Sequence, residues 1–244
     1  MPGPTPTPTS PTSCKDCLDQ DDEDPCDQLN DLTDLNKANI KSKLQNLKNE
    51  SATNSGESGF QMKKDSSGNY TNPDVLPSTT NQINFGRSGD IYAAAHSHPF
   101  SSTFPLFSWA DVFVLYQFYR YADPSVKQEV TFIVASSVNP APAEIYAIKI
   151  DNYTDFEIQI GLDFQNIIAS DPANLTGVED KIKIKALDEK LAKEYRKDLN
   201  SEKVFLEFFG NHNISLYKAN STLDNWSELT LDPTFGIVIE TPCN

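Results

Sequence analysis

Two of the three histidines in this chain lie one residue apart, in the segment YAAAHSHPF that spans residues 92–100. In a β-strand, residues i and i+2 point to the same face, so His96 and His98 are expected to project together. Two imidazoles at this spacing can hold one divalent metal ion if a third ligand comes from elsewhere in the fold. Asp111 is the candidate, because Pro99 stops the strand and turns the chain back. Two nitrogens and one carboxylate oxygen leave a fourth position open, as in catalytic zinc sites.

The spacing of the two histidines is a weak signal on its own, because two exposed histidines on a strand edge also produce it. The neighbouring segments add to it. H-S-H-P at 96–99 is followed by S-W-A-D at 108–111 and preceded by E-S-G at 57–59. Together these segments resemble the motif of the JAMM (JAB/MPN) metalloprotease family, which includes deubiquitinating isopeptidases. The E-x-G element is similar to that of bacterial members, and the resemblance extends over roughly residues 55–150.

The resemblance implies a role for five side chains. His96, His98 and Asp111 would hold Zn²⁺, which lowers the pKa of a bound water. Glu57 would take the proton from that water without ligating the metal and pass it to the leaving amine. The Ser108 hydroxyl would help to hold the tetrahedral oxyanion. A helix cap is the other interpretation of Ser108, and the two roles are compatible.

The choice of Glu57 over Glu50 as the base follows from the elements that hold them. Glu50 ends a predicted helix and precedes a polar turn, which would leave its carboxylate in solvent. Glu57 enters the strand marked by Gly59 and Phe60, and a strand paired beside the histidines would hold it rigidly. Glycine at position 59 permits a close approach of the backbone, although a simple turn glycine is the alternative.

The segment between the histidines and the predicted helix is slightly longer than in the family. Nine residues, Pro99 to Phe107, separate His98 from Ser108. A short loop insertion costs little free energy. The insertion is aromatic, and Phe107 is expected to pack on the core, whereas Phe100 and Phe104 could equally pack there or line a substrate groove.

Hydrophobic periodicity predicts the elements that position these residues. Leucines recurring from residue 27 to 50 predict a helix, or two helices with a break near Asn36. Ser108 is a candidate N-cap for a helix through Tyr121, with Asp111 at position N3. Residues 72–90 form a predicted loop, and a long amphipathic helix covers about 178–199. Strands are predicted at GFQMKK, DIYAAAHSH, EVTFIVAS, EIYAIKI, KVFLEFF, ISLYKA and FGIVIE.

One α+β domain accounts for this pattern. The Pro/Thr-rich and then acidic residues 1–26 are predicted to be a disordered tail, because they have little apolar surface to bury. Residues 27–244 would form the domain, with an N-terminal helix and a C-terminal extension. The resemblance implies an α/β/α sandwich-like, cytidine-deaminase-like architecture in which a central mixed β-sheet is flanked by helices.

Composition limits the partners. The formal net charge of −15 and the lack of a Lys/Arg cluster argue against nucleic acid, since phosphate binding requires cations. No apolar run is long enough for a transmembrane helix, and a signal peptide is not evident. The protein would be cytoplasmic if Met1 is its native start and secreted if the chain is a fragment of a longer effector.

Cysteine and the third histidine carry weaker signals. Cys14, Cys17, Cys26 and Cys243 do not make a paired zinc motif, and they are interpreted as tail residues. A disulfide is the alternative if the protein is secreted. His212, in FGNHNIS, is predicted to be a surface turn residue without an acidic partner.

These observations support a zinc-dependent hydrolase that cuts peptide or isopeptide bonds. The substrate would be a peptide or protein, such as a bacterial peptide, a peptidoglycan peptide or a ubiquitin-like conjugate. The alternatives are a catalytically inactive scaffold or binding module and a toxin- or effector-associated domain. Scaffold versions of the domain usually lose ligands, whereas this chain keeps both histidines, the aspartate, the serine and the glutamate.

Overall fold

The protein is α+β, with one mixed, open β-sheet and helices on both of its faces. The computed structural model describes residues 24–34, 39–53, 56–76, 83–99, 104–137 and 143–243. Within them the strands are β1 (Gly59–Lys63), β2 (Asp74–Leu76), β3 (Ile91–His98), β4 (Thr131–Ser136), β5 (Glu144–Ile150), β6 (Ile214–Ala219), β7 (Trp226–Leu231) and β8 (Val238–Pro242). The eight strands lie in the order β2-β1-β3-β4-β5-β6-β7-β8. Only β3 and β4 pair in parallel, and α3 lies in the connection between them.

Seven α-helices cover the sheet in the described part of the chain. They are α1 (Pro25–Leu32), α2 (Ile40–Thr53), α3 (Trp109–Tyr121), α4 (Tyr153–Ser170), α5 (Pro172–Leu175), α6 (Asp180–Lys197) and α7 (Ser201–Phe209), with a short 3-10 helix at Lys127–Glu129. None of them is long and apolar enough to cross a membrane.

Alternation along β3 assigns its residues to two separate cores. Ala94 packs with α3, α6 and α7, in the cluster that also holds Trp109 and Leu191. Ala93 and Ala95 pack with α1 and α2 on the other face. Because side chains alternate along a strand, the two histidines of β3 lie on the α3 face of the sheet. Each large apolar side chain buried in these cores contributes about 1.5–3 kcal/mol.

The leucine pattern of residues 27–50 is confirmed as two helices. Leu29 and Leu32 of α1 and Leu44 and Leu47 of α2 are buried in the second core. The break predicted near Asn36 lies outside the described residues. The predicted strands at β1, β3, β4, β5 and β6 are confirmed, as are α3 and α6, because each carries a strong local period.

A disulfide joins Cys26 at the start of α1 to Cys243 after β8. The interpretation of these two cysteines as tail residues is therefore wrong. The residues from Asp24 to Cys26, which the sequence had placed in the tail, belong to the fold, and Asp24 caps α1 by accepting a hydrogen bond from the Cys26 amide. The remainder of the predicted tail, with Cys14 and Cys17, lies outside the described residues.

The C-terminal part departs most from the prediction. KVFLEFF, predicted as a strand, lies in α7, because Asn200 caps the helix through the Lys203 amide and Val204, Phe205 and Phe209 are buried on one side. Aromatic residues favour strands on average, and here tertiary packing overrides that preference. The predicted 72–90 loop contains the short edge strand β2. Helix α4 and strand β7 occupy segments that were not assigned to an element from the sequence.

Candidate metal centre

Strand β3 brings the two histidines together on its buried end. His96 and His98 are only 2–3 % exposed, and their Nε2 atoms lie 2.8 Å apart. The expectation that the two rings project to the same side is therefore confirmed. Two ring nitrogens held this close repel each other unless a proton or a cation lies between them, since each neutral imidazole directs one lone pair outward.

The N-terminus of α3 supplies the carboxylate. Ser108 is the N-cap, and its Oγ accepts a hydrogen bond from the Asp111 amide at 3.1 Å. The Ser108 amide in turn donates to Asp111 Oδ2 at 2.7 Å. This reciprocal capping box was predicted in its first half only, and it fixes the rotamer of Asp111. The carboxylate oxygens consequently reach both histidines, at 3.4 Å from Oδ1 to His96 Nε2 and 3.4 Å from Oδ2 to His98 Nε2.

These distances fit a single metal ion. Tetrahedral coordination at bond lengths of about 2.0–2.1 Å separates neighbouring ligand atoms by about 3.3 Å. The histidine–aspartate separations match that value, and the histidine–histidine separation is shorter. One ligand atom from each of His96, His98 and Asp111 lies within 4.8 Å of the other two. The buried group can therefore hold a metal ion with two nitrogens and one oxygen.

Contacts behind the imidazoles orient them. His98 Nδ1 lies 3.1 Å from the Phe104 carbonyl, so the proton is assigned to Nδ1 and the lone pair of Nε2 faces Asp111 and His96. Such a carbonyl contact behind a histidine is usual in metal sites and raises its basicity as a ligand. The ring of His96 is held by aromatic neighbours, with centroids 5.8 Å from Phe85 and 5.2 Å from Phe132.

The electrostatics of the group depend on burial and on Asp111. Burial lowers the pKa of His96 to about 4, with Asp111 acting in the opposite direction. Burial also lowers the pKa of His98, but the hydrogen bond and the charge of Asp111 outweigh it and hold that pKa above its usual value. Burial favours a neutral Asp111, yet the two histidines bring its pKa down to about 2. At neutral pH, then, His96 and Asp111 are in the forms that bind metal.

Glu57 lies beside this group, in the residues that lead into β1. Gly59 pairs with His96, and the Ser97 amide donates to the Ser58 carbonyl at 2.8 Å, so the chain before β1 continues along β3 towards His98. The Ile83 amide donates to the Glu57 carboxylate. Burial raises the pKa of Glu57 to about 7, His98 lowers it and Asp111 raises it. A carboxyl group with this pKa can accept and return a proton near neutral pH.

Glycine at position 59 is required by the close approach of the two strands. A Cβ atom there would lie 2.9 Å from the Ala95 carbonyl oxygen and 3.2 Å from the Cβ of His96. The interpretation as a simple turn glycine is thus wrong, and the close-approach interpretation is confirmed. Glu50, by contrast, lies in α2, which packs on the opposite face of the sheet.

One residue near the centre, Asp188, has no signal in the sequence. Asp188 of α6 accepts a hydrogen bond from the Ala110 amide at 3.1 Å, and burial raises its pKa to about 7. It is remote from the motif, and only the packing of α6 on α3 brings it there.

In the aromatic segment, Phe107 is fully buried against Phe132 and Phe205, as predicted, whereas Phe100 lies outside the described residues.

The prediction for His212 is wrong. The residue is 5 % exposed, and its Nε2 lies 3.0 Å from Asp163 Oδ2. The same oxygen accepts a hydrogen bond from the Trp109 indole at 2.8 Å. Asp163 belongs to α4, a helix that the sequence did not predict, and it lies 49 residues from His212, so no local pattern indicates the pair. His212 does lie in a turn, between α7 and β6, but its side chain is buried and has an acidic partner, so it is a structural residue.

Comparison of the chain with family models, with curated proteins and with solved structures finds no match. The chemistry of the site therefore has to be argued from its own donor atoms, their distances and the groups around them.

Proposed function

We propose that the protein is a zinc-dependent hydrolase that cleaves peptide or isopeptide bonds. The observation that carries the proposal is the buried His96, His98 and Asp111 group with the carboxyl of Glu57 beside it. A structural metal site has no use for a carboxyl group that stands next to the ligands with a pKa near neutrality. The three-ligand set, with two imidazoles and one carboxylate, is that of catalytic zinc sites.

The residues of the chain divide the work of hydrolysis. When bound, zinc supplies a Lewis acid that acidifies water and polarises a substrate carbonyl. The Glu57 carboxylate accepts the proton that the attacking water loses as its oxygen bonds to the carbonyl carbon. The same proton then passes from Glu57 to the leaving nitrogen as the carbon–nitrogen bond breaks. Protons balance, and the products are a carboxylic acid and an amine.

Ser108 acts twice in this scheme. Its Oγ already accepts the Asp111 amide as a helix cap, which leaves the hydroxyl proton to donate elsewhere. Donation to the oxyanion that forms on the substrate carbonyl would stabilise the transition state. The helix N-terminus behind Ser108 also favours negative charge at this point.

The arrangement of helices on both faces of a mixed sheet supports the JAB/MPN-type architecture that the motif resemblance implies. Within that family the substrates expected from the resemblance are a ubiquitin-like conjugate, a peptidoglycan peptide or another bacterial peptide. All three contain an amide bond that can be attacked by the chemistry above.

The test is a pair of glutamate variants measured on a peptide or isopeptide substrate. Glu57→Gln keeps the shape of the side chain but removes the base, so we expect turnover to fall by roughly 10²–10⁴-fold with zinc content unchanged. Glu50→Gln is the matched control and should retain full activity, because α2 lies on the other face of the sheet. Full activity of Glu57→Gln would exclude Glu57 as the base. Full zinc without turnover in the parent would favour a binding module.

A further inference from the structure

Two cavities flank the metal centre. The larger, about 840 Å³, lies between residues 83–87, α3 and α6. Its wall touches the site directly, because Ile83 donates to Glu57 and the ring of Phe85 packs on that of His96. Ala110, which precedes Asp111, also lines it. The cavity therefore adjoins the proposed reacting groups through Ile83, Phe85 and Ala110.

The smaller cavity, about 390 Å³, lies on the other side of the centre between Phe104 and α6. Phe104 connects it to the site, because its carbonyl faces His98 Nδ1. Lys185 and Asp188 line both cavities. The two cavities thus adjoin at these residues and form one groove along α6, which passes the His–Asp group.

The two halves of the groove differ in chemistry. The larger cavity is lined by the apolar residues Phe113, Val114 and Phe118 and by charged residues of both signs, among them Arg87, Asp180 and Lys181. The smaller cavity is lined by the exposed cations Lys185, Lys193 and Arg196. Two acidic residues, Asp188 and Glu189, also line this cavity. Asp188 accepts a hydrogen bond from the Ala110 amide, so Glu189 is the residue whose charge offsets the cations. The exposed charged residues that line this cavity are therefore mostly cations, on a chain whose formal net charge is −15.

The pairing of cations along α6 sets this cavity apart. Lys181, Lys183 and Lys197 pair with Glu179, Asp180 and Glu194, respectively, and Lys190 lies over the ring of Phe208. Among the described residues, only the three cations that line the smaller cavity have no ion-pair or ring partner on this helix. Three cations left unpaired on one side of a helix form a site for an anionic ligand.

We propose that the groove binds an extended acidic polypeptide, with large apolar side chains in the larger cavity and carboxylates against Lys185, Lys193 and Arg196. That the bond to be cut lies between the two halves rests on the proposed hydrolase function. Residues 180 to 196 of the helix, which line the two cavities, span about 24 Å, which about seven residues of extended chain would cover. The ligand is therefore a peptide segment that continues on both sides of the centre, and cleavage would be internal.

The test measures binding separately from cleavage. A fluorescein-labelled peptide of about twelve residues, with Phe and Leu in one half and Glu and Asp in the other, is titrated with the Glu57→Gln variant and followed by anisotropy. The comparison peptide has Lys in place of each acid. We expect the acidic peptide to bind about tenfold more tightly at low salt, and the difference to shrink as salt screens the charges.

Charge reversal locates the effect. The double variant Lys193→Glu/Arg196→Glu should lose or invert the preference for the acidic peptide. Lys190→Glu/Lys197→Glu, with the same change in net charge at partnered positions of α6 that line neither cavity, is the control and should keep it. Equal binding of the two peptides, absence of binding, or the same behaviour in both double variants would overturn the proposal.

Cleavage of the same peptide by the parent protein separates the two hypotheses. Charge-dependent binding without cleavage would support the groove as a ligand site and contradict the hydrolase function. Cleavage that is insensitive to Lys193→Glu/Arg196→Glu leaves the hydrolase and removes the groove as the determinant of specificity.

Discussion

Two buried groups in the described part of the chain bring histidine and aspartate into contact. They differ in their balance of hydrogen-bond donors and acceptors. In the first, His96 and His98 direct two Nε2 atoms towards the carboxylate of Asp111. In the second, His212 and the indole of Trp109 both contact one oxygen of Asp163. Burial does not distinguish the groups, since His98 is 3 % exposed and His212 is 5 % exposed.

The difference lies in the balance of donors and acceptors. Asp163 accepts a hydrogen bond from the indole N–H and faces one ring nitrogen, so donors and acceptors match and the group is a structural connection. At Asp111 two ring nitrogens and a carboxylate converge with fewer protons than lone pairs. That surplus of acceptors is what a cation satisfies. Convergent acceptors, more than burial or histidine content, distinguish the candidate metal centre from the second group.

The two groups are also joined mechanically. Trp109 is the first residue of α3, and Asp111 lies two residues later in the same turn. Asp163 holds the indole from α4, while Ser108 fixes the carboxylate of Asp111. The second group therefore helps to place the helix end that carries Asp111, the third candidate ligand, and it contributes to the site without touching it.

The largest expected effect that separates the groups is loss of metal. Protein purified without chelator should contain close to one zinc per chain. His98→Ala should remove it, because the two remaining protein ligands would bind zinc too weakly to retain it. His212→Ala is the matched control and should keep the metal. Elemental analysis decides the matter, and zinc retained by a His96→Ala/His98→Ala double variant would contradict the assignment.

Acidification should release the same ion. Protons compete with metal for the imidazoles, and the raised pKa of His98 means that competition begins above the usual histidine range. Zinc content measured after dialysis across a pH series should fall as the pH drops through the imidazole region. Retention of the ion well below that region would indicate other ligands.

A moderate effect on stability should appear at the second group. Asp163→Ala leaves the indole N–H of Trp109 and the ring of His212 without their acceptor, which we expect to lower the free energy of unfolding by about 1–3 kcal/mol. Asp163→Asn keeps one carbonyl oxygen and should cost less. Denaturant unfolding measures both. Equal stability of Asp163→Ala and the parent would show that the group is dispensable.

The last effect concerns Asp188, which, like Asp163, accepts a hydrogen bond from a residue of α3, and whose pKa is raised by burial. Because its folded-state pKa is about 7 against a reference of 3.8, the folded protein binds more protons than the unfolded chain between these values. This group therefore lowers stability as pH rises from about 4 to 7. In protein treated with a chelator, Asp188→Asn should raise the midpoint of thermal unfolding at pH 8, where each kcal/mol of added stability corresponds to about 2–4 °C. The substitution should leave that midpoint unchanged near pH 3.5.

Local signals account for what the sequence could predict. The i, i+2 spacing of His96 and His98, the Ser108 cap and the glycine at position 59 each act within a few residues, and all of them appear in the structure as predicted. The helix period of α6 and the strand period of β4 are equally local. The roles of Glu57 and Ser108 in catalysis remain predictions.

Long-range pairs account for what it could not predict. His212 and Asp163 are 49 residues apart, and Cys26 and Cys243 are 217 apart, so no periodicity relates them. Asp188 reaches the centre only through the packing of α6 on α3. In α7, aromatic residues favour a strand locally, and the helix forms because its apolar side is buried against the rest of the core.

The disulfide between Cys26 and Cys243 has a mechanical consequence. It ties the start of α1 to the residue after β8 with 5.3 Å between the Cα atoms, so chain entering before α1 and leaving after β8 does so at one point on the surface. A pulling force applied at those two points is carried by a covalent bond, and the hydrogen bonds of the sheet bear none of it. Inserted into a tether, the oxidised domain would add almost no length when stretched. Reduction would transfer the force to β8 at the edge of the sheet. The strands would then separate from the sheet one after another, beginning with β8.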